Sequence, residues 1–221
     1  MVTVSVFRIL ALWLVVTALR SADLPPGQTI FQNLCVQCHA AKGEGNVLIK
    51  APAIAGMPDW YVLAQMTNFQ TDKRGAHPQD VEGQLMRAMV KILNADQTRA
   101  VADYVSKLPR NVLQPTLSAD ITEGKRLYAE RCMECHRYNG EGDMAYPSPP
   151  VVGLQDWYLV SRLKKYLSGI QGAEKGDANG QKMVFSASFI ENEAMLQSLV
   201  AYLMQLPDEL KKTKANVFGG D

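Results

Sequence analysis

The residues best suited to do chemistry in this chain are four cysteines and two histidines, arranged in two copies of one motif. The first copy is Cys35-Val36-Gln37-Cys38-His39 and the second is Cys132-Met133-Glu134-Cys135-His136. Two thiols one helical turn apart can add to the two vinyl groups on one edge of a porphyrin, and the next residue places an imidazole beside the iron. The motifs therefore predict two covalently attached haem c groups. The expected haem-binding residues are Cys35, Cys38, His39, Cys132, Cys135 and His136.

All four cysteines of the chain lie in these two motifs, so none is left for a disulfide elsewhere. Two other uses of paired cysteines fit the sequence less well. A four-cysteine zinc site usually separates its two Cys-x-x-Cys pairs by roughly 15–20 residues, whereas Cys38 and Cys132 are much farther apart. A thioredoxin-like pair needs a βαβ context, and no strand pattern surrounds either motif. Haem attachment is the interpretation that fits both motifs.

The two motifs belong to a longer internal repeat. Shifting the chain by 97 residues superimposes residues 35–86 on 132–183 without a gap and gives 17 identities in 52 positions. The matches outside the motifs include Gly43-Glu44-Gly45 with Gly140-Glu141-Gly142, Pro52 with Pro149, Asp59-Trp60-Tyr61 with Asp156-Trp157-Tyr158, and Met86 with Met183. Self-similarity of this kind indicates a duplicated domain.

Each copy is predicted to be mostly helical, so we expect an all-α fold of two tandem domains. In the first copy, apolar periodicity and capping residues predict helices over residues 27–38, after Asp59 and after Asn94. The second copy repeats this pattern with Asp120 and Asp156 at the corresponding starts. The loops that follow each motif are rich in glycine and proline and too polar to pack alone, so a haem is expected to fill that space.

Residues 1–22 are expected to be an export signal. Ile9 to Leu19 is an apolar run of 11 residues preceded by Arg8, which is the length of a signal-peptide core and short for a bilayer span. An uncleaved membrane anchor from Val2 to Leu19 is the alternative. Both interpretations place the rest of the protein in the bacterial periplasm, either soluble or tethered to the outer face of the inner membrane.

The rest of the chain is expected to form domain 1 over residues 23–110 and domain 2 over residues 111–221. The join, residues 109–118, contains two prolines and no long flexible tract, so the two domains are expected to be held close together. Residues 208–221 are expected to be a loose polar tail. A net charge of +1, with 47% apolar and 20% charged residues, indicates globular domains and gives no electrostatic reason to bind nucleic acid.

Two methionines are the candidates for the second axial ligand of each iron. Met86 and Met183 both occur as Gly-Gln-x-Met, which we expect to lie in a loop just before the last helix of each copy. Met89 has no counterpart, because the shift places Ser186 there, and the other methionines are expected in the core. The expected iron ligands are therefore His39 and Met86 in domain 1 and His136 and Met183 in domain 2. Irons with both axial positions filled favour electron transfer over catalysis.

Three further positions are candidates for supporting the haems. Pro52 and Pro149 begin the loop on the histidine side, where a carbonyl can accept the second N–H of the imidazole, although a simple turn proline is the alternative. Arg74 is a candidate partner for a haem propionate, but the second copy has Gln171 at that position. This difference predicts two inequivalent haems.

With these motifs in order, the chain resembles the two-domain di-haem class I cytochromes of the cytochrome c4 type. The resemblance covers about residues 25–207 and implies two small helical domains with neighbouring haems and His/Met ligation. It also implies periplasmic electron transfer from a quinol-oxidising complex to a terminal oxidase. The Asp-Trp-Tyr helix followed by residues 74–78 also looks like the cytochrome c domains associated with terminal oxidases.

Two other functions remain as alternatives to a freely diffusing di-haem carrier. The chain could be a haem subunit of a respiratory complex, anchored to the membrane by residues 2–19, with peripheral membrane association as a weaker form of the same idea. It could also be a di-haem enzyme, such as a peroxidase or a thiosulfate-oxidising enzyme. An enzyme needs an open coordination position on one iron, and the matched methionines favour the electron carrier instead.

Overall fold

The computed structural model describes residues 26–110 and 113–218. Within these ranges the regular elements are helices, accompanied by two isolated β-bridges, one in the equivalent loop of each copy. The export signal or anchor predicted for residues 1–22 lies outside the described residues. None of the helices in the described ranges has the length and apolar character that crossing a bilayer requires.

Each half of the described chain contains six helical elements, one of which is a π-helical turn. In the first half they are α1 (Pro26–Ile30), a π-helical turn (Phe31–Cys35), α2 (Val36–His39), α3 (Asp59–Gln70), α4 (Val81–Lys91) and α5 (Ala95–Ser106). In the second half they are α6 (Thr122–Leu127), a π-helical turn (Tyr128–Cys132), α7 (Met133–His136), α8 (Asp156–Leu167), α9 (Ala178–Ala187) and α10 (Glu193–Phe218). The predicted all-α fold with two tandem copies is confirmed. The exact division into residues 23–110 and 111–221 stays a prediction.

The structure differs from the sequence expectation in three helices. Helices α4 and α9 occupy segments that we expected to be loops, and each begins at an aspartate whose carboxylate accepts an N–H three residues on. These bonds join Asp80 to Gly83 at 3.1 Å and Asp177 to Gly180 at 2.9 Å. The third difference is α10, which continues through Pro207 to residue 218, where we expected a loose tail.

The first and last helices of each copy cross at a glycine. A Cβ added at Gly27 would lie 2.1 Å from the carbonyl oxygen of Ala100 on α5. The same addition at Gly124 would lie 2.1 Å from the carbonyl oxygen of Ser198 on α10. Only a residue without a side chain allows so close an approach of two helix backbones, which explains why glycine occupies this place in both copies.

Aromatic residues pack beside each of these crossings. The rings of Phe31 and Tyr104 lie 5.4 Å apart in domain 1, and those of Tyr128 and Tyr202 lie 5.6 Å apart in domain 2, both tilted. Phe31 and Tyr128 are buried in separate apolar cores, one for each copy. Each copy therefore has its own packed centre at the helix crossing that leads into the haem motif.

The two halves contact each other through side chains as well as through the join. Gln155 in domain 2 donates to the carbonyl of Glu44 at 2.8 Å and accepts from the N–H of Ala53 at 2.9 Å. Arg110, at the join, pairs with Glu141 at 2.7 Å. These contacts confirm that the domains are held close together.

We expect Gly27→Ala and Gly124→Ala each to lower the free energy of unfolding by about 1–3 kcal/mol, because the new methyl group forces the crossing helices apart. Denaturant unfolding followed by circular dichroism would measure the change. Lys125→Ala, on the exposed side of the same turn as Gly124, is the control and should change it by less than about 0.5 kcal/mol. If the glycine variants were as stable as this control, the close crossing would be contradicted.

Candidate haem-binding sites

Both histidines sit at the end of a short helix and are held by a carbonyl group. His39 ends α2 and is 7% exposed, and His136 ends α7 and is 6% exposed. The Nδ1 of His39 lies 2.8 Å from the carbonyl oxygen of Pro52, and that of His136 lies 2.8 Å from the carbonyl oxygen of Pro149. A carbonyl can only accept, so Nδ1 carries the proton and Nε2 keeps a lone pair for a metal. The expected role of the two prolines is confirmed.

Burial keeps both imidazoles neutral. It lowers the pKa of His39 and of His136, because the charged form would lose its hydration, and the carbonyl hydrogen bond opposes this effect only partly. A neutral imidazole with a free Nε2 is the form that binds haem iron.

The first cysteine of each motif closes a π-helical turn that sequence analysis did not predict. Cys35 ends the turn Phe31–Cys35 and Cys132 ends the turn Tyr128–Cys132. Such a turn widens the helix locally and is frequent at functional sites. Here it lies immediately before the segment that contributes the second cysteine and the histidine.

Before haem is attached, the thiols of these first cysteines are protonated at neutral pH. Burial, and to a lesser extent the neighbouring cysteine of the same motif, raises the pKa of Cys35 to about 11 and that of Cys132 to about 12. The thiolate is the reactive form in disulfide exchange, so these thiols resist pairing with one another. None of the four cysteines forms a disulfide, so all four are available for thioether bonds to a porphyrin.

The chain turns sharply after each histidine. Ala40 has φ 62° and ψ 171°, and Arg137 has φ 66° and ψ 162°, a region that non-glycine residues rarely occupy. The turn brings the N–H of Gly45 to 2.9 Å from the His39 carbonyl and that of Gly142 to 3.0 Å from the His136 carbonyl. The following loop is thereby fixed beside each histidine.

The two candidate methionines lie on helices. Met86 is on α4 and Met183 is on α9, so the expected loop setting is wrong for both. Each is half-buried, and Met86 packs against the apolar core of domain 1. Met89, on the same helix as Met86, is 41% exposed. Ligation of iron by Met86 and Met183 remains a prediction.

Two buried polar atoms in the described part of the chain lack a hydrogen-bond partner, and they occupy equivalent positions in the repeat. They are Nε of Arg74 and Oε1 of Gln171. An unpaired buried N–H fits a missing acceptor such as a haem propionate, which supports the expectation for Arg74. Free thiols, an imidazole with an available Nε2 and this guanidinium together fit a haem in domain 1.

The structure also identifies a residue that sequence analysis missed. Arg162 on α8 is only 9% exposed, and it lies near Tyr158 and Tyr166 at the contact between the domains. The repeat shows that Arg162 occupies the position of Gln65, but the sequence does not show that this position adjoins that of Arg74.

The zinc alternative requires several ligating side chains at one point. Within residues 26–110 and 113–218, no group of three or more histidine, cysteine, aspartate or glutamate side chains is arranged to hold a metal ion. The cysteines remain as two separate pairs, one at the start of each copy.

Comparison with known proteins supports this arrangement. The sequence profile of the cytochrome c family matches residues 25–109 and again residues 121–207. The structure is similar to reduced cytochrome c4 from Pseudomonas stutzeri, with a TM-score of 0.62 and 22% identity, covering 80% of this chain and 95% of that one. The two matched segments and this shared fold confirm the predicted resemblance.

Two relatives match most of this chain in sequence. The "Thiosulfate dehydrogenase electron acceptor" of Thiomonas intermedia is 28% identical over 192 residues, which is 82% of this chain and 81% of that protein. The "Cbb3-type cytochrome c oxidase subunit FixP" of Bradyrhizobium diazoefficiens is 27% identical over 162 residues, which is 68% of this chain. The matched part spans only 54% of the oxidase subunit.

We expect Met86→Ala and Met183→Ala each to leave one axial coordination position of one iron free, so that the reduced variant binds carbon monoxide at that haem. Loss of the sulfur ligand should also lower the potential of that haem by at least about 59 mV, a tenfold change for a one-electron couple. Carbon monoxide difference spectra and redox titration would measure both effects. Met89→Ala removes a methionine from the same helix as Met86 and should do neither, and an equal effect in this control would contradict the assignment.

Proposed function

Because the chain belongs to the cytochrome c family and carries two covalently attached haem c groups, we propose that it passes single electrons between respiratory complexes in the periplasm. The bound haem supplies the one-electron iron couple. The observation that carries the proposal is the matched pair of buried, carbonyl-held imidazoles, His39 and His136, each in a copy with a methionine at the same place in the repeat. With Met86 and Met183 as second ligands, neither iron has a position for substrate.

The protein surroundings of each iron suit electron transfer without bond rearrangement. The imidazole is fixed in one tautomer by a carbonyl, so no proton has to move at Nδ1 when the iron changes oxidation state. A sulfur ligand favours ferrous iron and raises the potential, which suits a carrier that accepts electrons from a quinol-oxidising complex. Similarity to an oxidase subunit supports a terminal oxidase as the acceptor.

A second candidate donor is a thiosulfate-oxidising enzyme. It is supported by the relative named as an electron acceptor of thiosulfate dehydrogenase, which matches this chain over 81% of that protein's length. In this alternative the chain is still a di-haem electron carrier, and only the source of the electrons differs. The anchored-subunit alternative is supported by the oxidase relative and depends on residues 1–22, outside the described residues.

Reduction kinetics of the purified ferric holoprotein would distinguish the donors. We expect membranes containing a quinol-oxidising complex, supplied with quinol, to reduce both haems rapidly, and an inhibitor of that complex to abolish the reaction. Thiosulfate with a thiosulfate dehydrogenase is the parallel arm. Faster reduction of the haems with thiosulfate and thiosulfate dehydrogenase would show that this enzyme, and not the quinol-oxidising complex, is the donor. Thiosulfate oxidation by the protein alone would contradict the carrier function.

A further inference from the structure

The two copies carry the same pair of polar side chains in exchanged positions. In the first copy Gln65 lies on α3 and Arg74 in the loop that follows it. The 97-residue shift places Arg162 and Gln171 at these positions, so the arginine is on the helix and the glutamine is in the loop. The two positions are neighbours in space, because Nη1 of Arg74 donates to Oε1 of Gln65 at 2.8 Å. Each domain therefore has one guanidinium at this pair of positions. In domain 1 it belongs to the loop after α3, and in domain 2 it belongs to helix α8.

Among the described residues, neither guanidinium has a carboxylate within ion-pair distance, although the charge of Asp80 acts on Arg162 from farther away. Arg162 donates from Nη2 to the hydroxyl of Tyr166 at 2.8 Å, and Arg74 has only Gln65 and a tyrosine as acceptors. Neither arginine forms an ion pair within residues 26–110 and 113–218, although Arg162 is 9% exposed and Nε of Arg74 is buried without a partner. A buried charge is costly unless an opposite charge pairs with it.

The two arginines, one from each domain, lie near the same tyrosine at the domain contact. Nη2 of Arg74 in domain 1 donates to the hydroxyl of Tyr158 in domain 2 at 3.2 Å, and the guanidinium carbon of Arg162 lies 5.9 Å from the centre of the same ring. Burial by itself would raise the pKa of Tyr158, but the two guanidiniums outweigh it and the pKa is lowered. The tyrosine therefore lies between two positive charges, one from each domain.

The third cation of this region is already neutralised. Lys165 reaches across the contact and pairs with Asp80 at 2.6 Å and with Glu82 at 2.9 Å. Glu82 responds to this contact, since hydrogen bonding to Lys165 lowers its pKa to about 2. Asp80 and Glu82 are thus ion-paired with the lysine, and Asp80 acts on Arg162 only as a nearby charge, without an ion pair.

We propose that Arg74 and Arg162 each hold a propionate of the haem in their own domain, and that their meeting at Tyr158 couples the two haems electrostatically across the domain contact. The anions required are at hand, because every haem c carries two propionate carboxylates. Gln171 is neutral, so its amide can donate a hydrogen bond to a carboxylate but cannot balance the charge as a guanidinium does. Arg162 therefore takes over in domain 2 the part that Arg74 plays in domain 1.

The consequence concerns reduction potentials. Reduction removes one positive charge from the haem, so a nearby cation favours the ferrous form and raises the potential. Loss of one guanidinium should lower the potential of its own haem most. It should lower the potential of the other haem by a smaller amount, because both guanidiniums flank the same tyrosine.

Redox titration of the holoprotein tests the proposal through potentials, independently of any activity. Arg162→Gln and Arg74→Gln should each reduce the ferrous-to-ferric ratio of one haem about tenfold at fixed ambient potential, which is 59 mV for a one-electron couple. Each should also shift the second haem in the same direction by less. Lys164→Gln removes the same charge from an exposed position on α8, where the lysine pairs with Glu193, and should leave both potentials nearly unchanged.

A double variant that moves the arginine within domain 2 tests whether the lost potential can be restored. Arg162→Gln combined with Gln171→Arg gives domain 2 the arrangement of domain 1 and should restore the potential that Arg162→Gln lowers. Should Arg162→Gln fail to assemble with two haems, Arg74→Gln decides, since its side chain belongs to a loop. Shifts in the arginine variants no larger than that of Lys164→Gln would overturn the proposal. A shift confined to one haem would overturn the coupling and leave the propionate contacts standing.

Discussion

The hydrogen bond between an imidazole and a backbone carbonyl is the contact on which each half of this molecule depends. It has the same length, 2.8 Å, from His39 to Pro52 and from His136 to Pro149. It fixes the tautomer, leaves the Nε2 lone pair available for a haem iron, and ties the loop after the motif to the helix that ends at the histidine. The positive φ angles of Ala40 and Arg137 support the same contact, because they reverse the chain directly after the histidine.

Packing elsewhere serves to hold this contact in place. The crossings at Gly27 and Gly124 bring the last helix of each copy against the helix that leads into the motif. The aspartate-capped helices α4 and α9 carry Met86 and Met183, the predicted second ligands. A porphyrin is expected to complete a core that the loops rich in glycine and proline do not close by themselves.

Much of the fold and of the haem-binding sites could be predicted from the sequence, because each feature of the repeat occurs in two copies that can be compared. The haem motifs, the proline carbonyls and the capping box at Asn94 and Gln97 follow from local patterns, and the structure contains them. Helices α4 and α9 were missed because Gly83 and Gly180 signal a loop. Their real role is tertiary: a Cβ added to Gly75 or Gly172 would lie within 2.5 Å of the carbonyl of the facing glycine. No local pattern contains that information.

Arg162 was missed for a different reason. Comparison of the copies one position at a time shows Arg74 replaced by Gln171 and indicates the loss of a charge. Only the three-dimensional neighbourhood of Gln65 and Arg74 shows that the charge has moved to the adjacent position instead. The α10 extension beyond Pro207 likewise depends on a helix already formed by apolar packing over its earlier turns, which composition alone does not reveal.

Each iron is expected to have two axial ligands, one histidine imidazole and one methionine sulfur. X-ray absorption at the iron edge of the purified ferric and ferrous holoprotein tests it most directly, because nitrogen and sulfur scatterers are distinguishable. The account predicts one sulfur and five nitrogens per iron, averaged over both haems and unchanged on reduction. Half a sulfur per iron, or an open position on either iron, would contradict it.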